Sequence, residues 1–231
     1  LANERISEGT PETMREREVS GLTVVLAENP AAGRTLPRPL THGLPDEAFL
    51  RGKTPMTKLE VRSVSLSKLA LTENAVVYDV GAGTGSVSVE CARLSSGIRV
   101  FSIERDPEAL ELLEKNRQQF SLSNMEIVAG TAPEALEELP APTHVFIGGS
   151  GGSMGRIVET VLRKNGTTRF VANLITPESL AAVMDLPRDL PVTDPEIVMV
   201  TAARSKKAGN SHLMLGANPV WIVAFSGRED Q

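Results

Sequence analysis

Apolar and polar positions along this chain alternate between short buried runs and amphipathic stretches. Val76-Val77-Tyr78-Asp79-Val80 is β-branched and aromatic and reads as a buried strand. A second run, Ile98 to Ile103, ends at Glu104, and Met125 to Val128, Thr143 to Ile147 and Thr168 to Leu174 give three more strands. Helices fall between them. Thr57 and Glu60 form a capping-box pair that predicts a helix from about Lys58 to Leu69. Ser86 to Leu94 follows the first strand. Asp106 is an N-cap with Pro107 at the first helical position, and Ala109, Leu110, Leu113 and Phe120 then share one apolar face. Thr131 and Glu134 make a second capping-box pair, opening a short helix to Leu139. Gly155 to Arg163 and Glu178 to Met184, the latter capped by Thr176-Pro177, complete the helices. Ile197 to Ala203 and Pro219 to Phe225 are strands with no room for a helix between them, so the ending is antiparallel. The sum is an α/β, Rossmann-like, doubly wound, mostly parallel seven-stranded sheet whose last strand is antiparallel.

The first segment stands apart. Residues 1–21 are polar, and Leu22-Thr23-Val24-Val25-Leu26 reads as a strand without a sequence-adjacent partner. Pro30, Pro37, Pro39 and Pro45 with Gly33 and Gly43 have linker composition. Residues 1–44 are therefore expected to be the end of a preceding domain plus a linker, too small to fold alone, and 45–231 the second domain. The chain begins without Met and reads as starting inside a longer gene product.

Ligands of such sheets bind at the carboxyl ends of the strands, near the switch point. That edge collects Asp79 to Gly85, Glu104, Gly130 to Ala132 and Gly148 to Gly151. Gly81, Gly83 and Gly85 are spaced Gly-x-Gly-x-Gly. A dinucleotide fingerprint needs glycine or alanine where Ser86 or Ser88 stands, and so fails. The spacing is instead that of class I methyltransferases that bind S-adenosyl-L-methionine. Glycines let the backbone approach the methionine part, Asp79 can take its ammonium group, and Glu104 can accept from both ribose hydroxyls.

Composition narrows the partners. The 231 residues are 41% hydrophobic, enough for a sizeable core, but only 3% aromatic, too few for nucleic-acid stacking platforms. A net charge of −5 argues against a broad nucleic-acid surface and leaves room only for a local basic patch. The single Cys91 excludes an intrachain disulfide and a multi-cysteine metal cluster, and suits the cytoplasm. His42, His144 and His212 are not clustered, so no metal is expected. No membrane-length apolar run and no signal peptide are visible.

Pro55-Met56-Thr57-Lys58, Asp79 to Ser88 and Ile103-Glu104-Arg105-Asp106-Pro107 resemble the precorrin C15-methyltransferase (decarboxylating) family. So do Ala132-Pro133-Glu134-Ala135-Leu136, Val145-Phe146-Ile147-Gly148-Gly149-Ser150-Gly151-Gly152 and Asn218-Pro219-Val220. These blocks fall in order over about residues 44–226. Glu4 to Thr10 and Leu22 to Leu26 are similar to the tail of the precorrin C5-methyltransferase domain that many organisms fuse ahead of it. Lacking that domain's own cofactor site, the remnant is not expected to methylate carbon 5.

The resemblance implies methyl transfer to ring carbon 15 of a precorrin tetrapyrrole and loss of carbon dioxide from the ring C (C12) acetate, in cobalamin biosynthesis. It implies a homo-oligomer, as a tetramer. It also implies cofactor contacts from Met56, Thr57, Asp79, Gly81, Ala82, Gly83, Thr84, Gly85, Ser86, Glu104, Arg105, Gly130, Thr131, Ala132 and Gly148. Asn173 to Glu178 departs from the family's asparagine-rich turn.

No residue is an evident general acid, and the conjugated ring can serve as the electron sink. Tyr78 lies inside a strand and Cys91 inside a helix, so both read as structural. A polycarboxylate substrate needs cations. Candidates are Arg51, Lys53 and Lys58 near the first helix, and Arg204, Lys206, Lys207 and His212 on a loop between the last strands, where a solvated basic loop is the competing reading. Bare backbone at Gly148, Gly149, Ser150 and Gly151 can donate to an acetate carboxylate. Lys58, Gly149, Ser150, Lys206 and His212 are thus the substrate-side candidates. The competing functions are another class I methyltransferase, such as a tRNA adenine methyltransferase, and a cofactor-binding subunit without turnover. Neither nucleic acid nor membrane is expected as a partner of the favoured one.

Overall fold

The computed structural model describes residues 6–15, 17–18, 23–26, 28 and 41–228. The chain divides into two compact units, Leu1–Arg38 and Pro39–Gln231. In the first, helix α1 is the single turn Pro11–Met14, capped by Thr10, whose Oγ1 accepts from Thr13 N at 3.4 Å. The strand expected at 22–26 does not form over Thr23 to Leu26: these residues have no regular secondary structure, and Val24 is 97% exposed. Leu22 lies outside the described residues. An apolar run becomes a strand only with a ladder partner, and no described strand pairs with this one.

The second unit carries α2 (Leu59–Leu69), β1 (Val76–Val80), α3 (Ser86–Leu94), β2 (Arg99–Glu104), α4 (Pro107–Gln119) and β3 (Met125–Ala129). After a 3-10 turn come β4 (His144–Ile147), α5 (Met154–Lys164), β5 (Arg169–Leu174), α6 (Pro177–Met184) and α7 (Leu186–Asp189). β6 (Glu196–Val200), β7 (Ala203–Ala208), β8 (Ser211–Gly216) and β9 (Val220–Ser226) finish the chain. Seven described strands form one sheet in the order β3-β2-β1-β4-β5-β9-β6, parallel from β3 to β5, with β9 antiparallel to both its neighbours.

Strand alternation sorts the core into two layers. Val77 and Val100 pack with α2, α3 and α4 through Leu66, Leu69, Val89 and Leu113. Tyr78, Phe101, Val145 and Phe170 face the opposite layer, with Ile157, Val158 and Val161 of α5. Each such side chain, fully buried, contributes roughly 1.5–3 kcal/mol. Tyr78 is structural, as expected: it meets Phe101 edge-on at 6.0 Å, and its hydroxyl donates to Pro140 O at 2.5 Å. Cys91 is fully buried in α3.

Three local expectations are corrected. The Thr57–Glu60 box does not cap α2, whose N-cap is Lys58 without a side-chain bond. Asp46 does the work from a distance, accepting from Leu59 N at 3.0 Å, while Glu60 is taken by Arg204. The Thr131–Glu134 pair opens only a 3-10 turn, Glu134–Leu136, whose N-cap is Pro133 without a side-chain bond, and Glu134 accepts from Arg156 at 2.7 Å. The segment read as a loop bearing Arg204, Lys206, Lys207 and His212 is the antiparallel ribbon β7–β8. Every residue of that ribbon is exposed, so it has no buried face to give a period-two signal.

The end of the linker is built into this unit. Glu90, fully buried on α3, accepts from Gly43 N at 3.1 Å and Leu44 N at 2.8 Å. Arg62 of α2, 1% exposed, donates from Nε to Glu90 at 3.1 Å and from Nη1 to Asp46 at 3.3 Å, and also binds Leu44 O and Thr57 O. Arg204 on the ribbon donates to the other Asp46 oxygen at 2.7 Å and grips both Glu60 oxygens. Burial alone would raise the Asp46 carboxyl, but Arg204 and Arg62 outweigh it and hold it below its usual value. This buried network has few unpaired atoms, which is the condition under which buried charges are tolerated.

Candidate active site

The sheet order places a crevice where β1 has β2 on one side and β4 on the other. A cleft of about 900 Å³ opens there. It runs from the ends of β3 and β2, across the loop after β1, to the ends of β4 and β5 and the start of β9.

The glycine loop is fixed from both sides. The amides of Gly81 and Ala82 both donate to Ile103 O at 3.0 Å. Gly81 has φ +74°, and a Cβ there would lie 2.9 Å from Gly149 N and O, so the loops after β1 and β4 pass at backbone distance. Gly83, φ +56°, donates its N–H to Glu104 Oε2 at 2.8 Å, while Glu104 Oε1 accepts from Arg105 N at 2.7 Å and Asp106 N at 2.9 Å. A carboxylate offers about four acceptor directions. Three are thus taken by backbone amides of the chain itself.

Asp79 sits on the β1 face that packs on α3. One oxygen accepts from Ser88 N at 3.0 Å and Ser88 Oγ at 2.5 Å, and Ser102 Oγ donates to Ser88 Oγ at 2.7 Å. The other, Oδ1, is buried and has no partner among the described residues. Burial pushes the carboxyl up to about 6, the Ser88 bonds pull it down, and the Glu104 charge adds to the rise. Ser88, a position the dinucleotide fingerprint merely excluded, is thus what orients Asp79.

Of the expected cofactor contacts, Met56, Thr57, Asp79, Gly81, Ala82, Gly83, Ser86, Glu104, Arg105, Gly130, Thr131, Ala132 and Gly148 line this one cleft. Thr84 and Gly85 lie behind it, both buried, with Gly85 as the left-handed N-cap of α3. Among the substrate-side candidates, Lys58, Gly149 and Ser150 line the cleft; Lys206 and His212 do not. The amides of Gly148 and Gly149 both donate to Val80 O, at 2.9 and 3.3 Å. Only Ser150 and Gly151 therefore have amides available to an anion. Lys53 and Arg204 also reach the cleft, Arg204 through the ribbon β7–β8. Phe146, Asn173, Ile175 and Leu215 join Val220 on the far wall. Asn173 and Ile175 belong to the turn that departs from the family pattern, whereas Phe146 and Leu215 were not expected there, since their separation in sequence hides a wall that only the sheet order assembles.

A family model for the precorrin methyltransferase domain matches residues 47–226. A protein described as a probable cobalt-precorrin-6B C(15)-methyltransferase (decarboxylating), from Pyrobaculum calidifontis, is 41% identical over 186 residues, covering 79% of this chain and 95% of its own. The crystal structure of precorrin-6y C5,15-methyltransferase from Geobacter metallireducens superposes with a TM-score of 0.75 at 36% identity, over 81% of this chain and 96% of that one. The C-terminal domain of precorrin-6Y C5,15-methyltransferase from Rhodobacter capsulatus gives 0.72 at 30% identity, over 82% and 100%. The glycine loop, its paired acids and the wall after β4 all fall inside the matched span, and the chain belongs to the precorrin methyltransferase domain family.

Proposed function

We propose that this chain transfers a methyl group from S-adenosyl-L-methionine to carbon 15 of a precorrin and releases the C12 acetate carboxyl as carbon dioxide. The observation that carries the reading is Asp79 Oδ1, a buried carboxylate oxygen without a partner among the described residues, in a cleft that continues into a cation-rimmed, apolar half. A cationic ammonium satisfies such an atom, so the residues present fit the cofactor. Asp79 holds that ammonium, Glu104 takes a ribose hydroxyl, and the open backbone at Gly81 and Gly83 admits the methionine part. When bound, the cofactor supplies an electrophilic methyl group on a sulfonium.

The chain's own contribution is position and exclusion of water. Lys53 and Lys58 face the carboxylates of the tetrapyrrole, while Arg204 is held by Asp46 and Glu60. Phe146, Ile175 and Val220 give the macrocycle an apolar wall. Ser150 and Gly151 amides serve an acetate. Loss of carbon dioxide leaves its electron pair on the ring, which then takes a proton, and no side chain acts as covalent nucleophile.

Residues 1–44 read as the tail of a fused C5-methyltransferase domain with its linker. Ile197 and Met199 on edge strand β6 and Leu213, Met214 and Leu215 on the ribbon are exposed apolar side chains, which support a homo-oligomer, a tetramer in the family resemblance. No described helix is long and apolar enough to cross a membrane, and the enzyme is read as cytoplasmic. Incubation with cofactor and either cobalt-precorrin-6B or tRNA tests the reading. Methylated RNA would favour the RNA enzyme, and cofactor binding without any product a non-catalytic subunit.

A further inference from the structure

The carboxamide of Asn173 is a second cleft group with an unmet bond. Asn173 stands at the carboxyl end of β5 and lines the cleft. Its Oδ1 lies 2.8 Å from Ser65 Oγ, and the one hydroxyl proton of Ser65, fully buried on α2, is shared between Asn173 Oδ1 and Val61 O, also at 2.8 Å. The carboxamide is thereby pinned through its oxygen. Its Nδ2 is buried and has no partner among the described residues. Buried donors are nearly always paired, so an orphan inside a cleft is a donor that a ligand can satisfy.

Its place in the sheet assigns the ligand. The cofactor-side groups Glu104, Asp79 and Gly148 lie on β2, on β1 and just past β4. Asn173 is two strands beyond Asp79, about 10 Å away at the usual strand spacing of about 4.8 Å. Phe146, Ile175 and Val220 line the same cleft. Among apolar groups a hydrogen bond is strengthened, and a neutral donor holds an anion without the desolvation that a buried lysine would suffer.

We infer that Asn173 Nδ2 donates to a peripheral carboxylate of the tetrapyrrole and sets the orientation in which carbon 15 faces the methyl donor. The inference rests on the functional reading above. It makes Asn173 a substrate-binding residue, and Ser65 the positioning residue behind it.

Two variants separate this from a structural role. Asn173→Asp keeps an acceptor for Ser65 but removes the donor and places a negative charge against the carboxylate. Asn173→Ala removes both, while Ser65 keeps Val61 O. Steady-state kinetics with cobalt-precorrin-6B, cofactor titration and thermal unfolding are the measurements. A hydrogen bond to a charged group predicts a loss of roughly 10- to 100-fold in kcat/KM for Asn173→Ala, a larger loss for Asn173→Asp, and cofactor Kd within about twofold of wild type in both. Asn173→Asp with wild-type kcat/KM, or milder than Asn173→Ala, would overturn the inference, because that order belongs to a residue needed only as the acceptor of Ser65. A cofactor Kd that rises in step with KM would also overturn it. Wild-type protein that neither binds nor converts the tetrapyrrole would instead overturn the functional reading on which the inference rests.

Discussion

Replacing Asp79 with Asn should make the ligand-free protein more stable at neutral pH while disabling the cofactor half of its cleft. Asp79 is 1% exposed, and Ser88 satisfies only one of its oxygens. Burial raises its carboxyl from 3.8 to about 6. The folded chain therefore holds this proton to a higher pH than the unfolded chain does. The resulting penalty is absent below pH 3.8, grows between 3.8 and 6, and is complete above 6. At about 1.4 kcal/mol per pH unit it reaches roughly 3 kcal/mol. Asn is neutral throughout and still accepts from Ser88, but its amide N–H inherits the unpaired position and costs about 1–2 kcal/mol. The net gain at pH 7.5 is then about 1–2 kcal/mol, or a rise of about 2–8 °C in Tm for a domain of this size. At pH 4, where the Asp79 penalty is nearly gone, the unpaired amide leaves the variant about 1–2 kcal/mol less stable than wild type. The lost charge partner should meanwhile weaken the cofactor by about 10- to 100-fold, and wild-type affinity should itself climb as pH rises through 6. Urea or thermal unfolding from pH 4 to 8, with calorimetric cofactor titration, checks both halves. A stability difference that is flat across that range would show that Asp79 carries no burial penalty, and an unchanged cofactor Kd that it does not hold the ammonium.

Other outcomes follow from the same geometry. Gly81→Ala, at φ +74° and 2.9 Å from the Gly149 backbone, should separate the β1 and β4 loops and abolish measurable cofactor binding, whereas Gly149→Ala enters open space and should change Tm by less than about 2 °C. Equal effects of the two on cofactor Kd would contradict that contact. Lys58→Ala should raise KM for cobalt-precorrin-6B by several-fold and leave cofactor Kd unchanged, since Lys58 is exposed on the cleft rim; parallel changes in both would remove it from the substrate side. Arg62→Ala removes four hydrogen bonds, among them those to Asp46 and Glu90, which keep Arg204 and the Gly43 and Leu44 amides respectively, and should cost about 3–5 kcal/mol in urea unfolding at pH 7. The Asp46 carboxyl is held below its usual value, so the stability it contributes is present above about pH 4 and is lost as pH falls further.

What the sequence revealed is what local chemistry decides. The strand before Asp79, the helix Ser86–Leu94 and the start of α4 at Pro107 were all legible, because their signals lie within a few residues of the structures they cause. Asp106 caps α4 by accepting from Ala109 N at 3.0 Å, as its spacing suggested. Capping from a distance was not legible: nothing near Thr57 shows that Asp46 will serve Leu59 N from thirteen positions away. The Arg62–Glu90 pair, 28 positions apart, was hidden in the same way, although a glutamate between Val89 and Cys91 in a helix without a polar face was a usable clue. The ribbon β7–β8 gave no signal, since neither of its faces is buried in the chain described. For the site, the glycine loop and both acids were legible as types and spacings. Their hydrogen-bond accounts were not: Glu104 has three acceptor directions filled, Gly148 and Gly149 have spent their amides, and Asn173 has an amide to spare.

The most direct measurement is the mass and NMR spectrum of the product made from cobalt-precorrin-6B and cofactor carrying a carbon-13 methyl group. The expected product carries one labelled methyl at carbon 15 and one carboxyl fewer, with the C12 acetate decarboxylated to a methyl group. A product labelled elsewhere, or one labelled at carbon 15 with every carboxyl retained, or recovery of unlabelled starting material in the presence of bound cofactor, would contradict the proposed reaction.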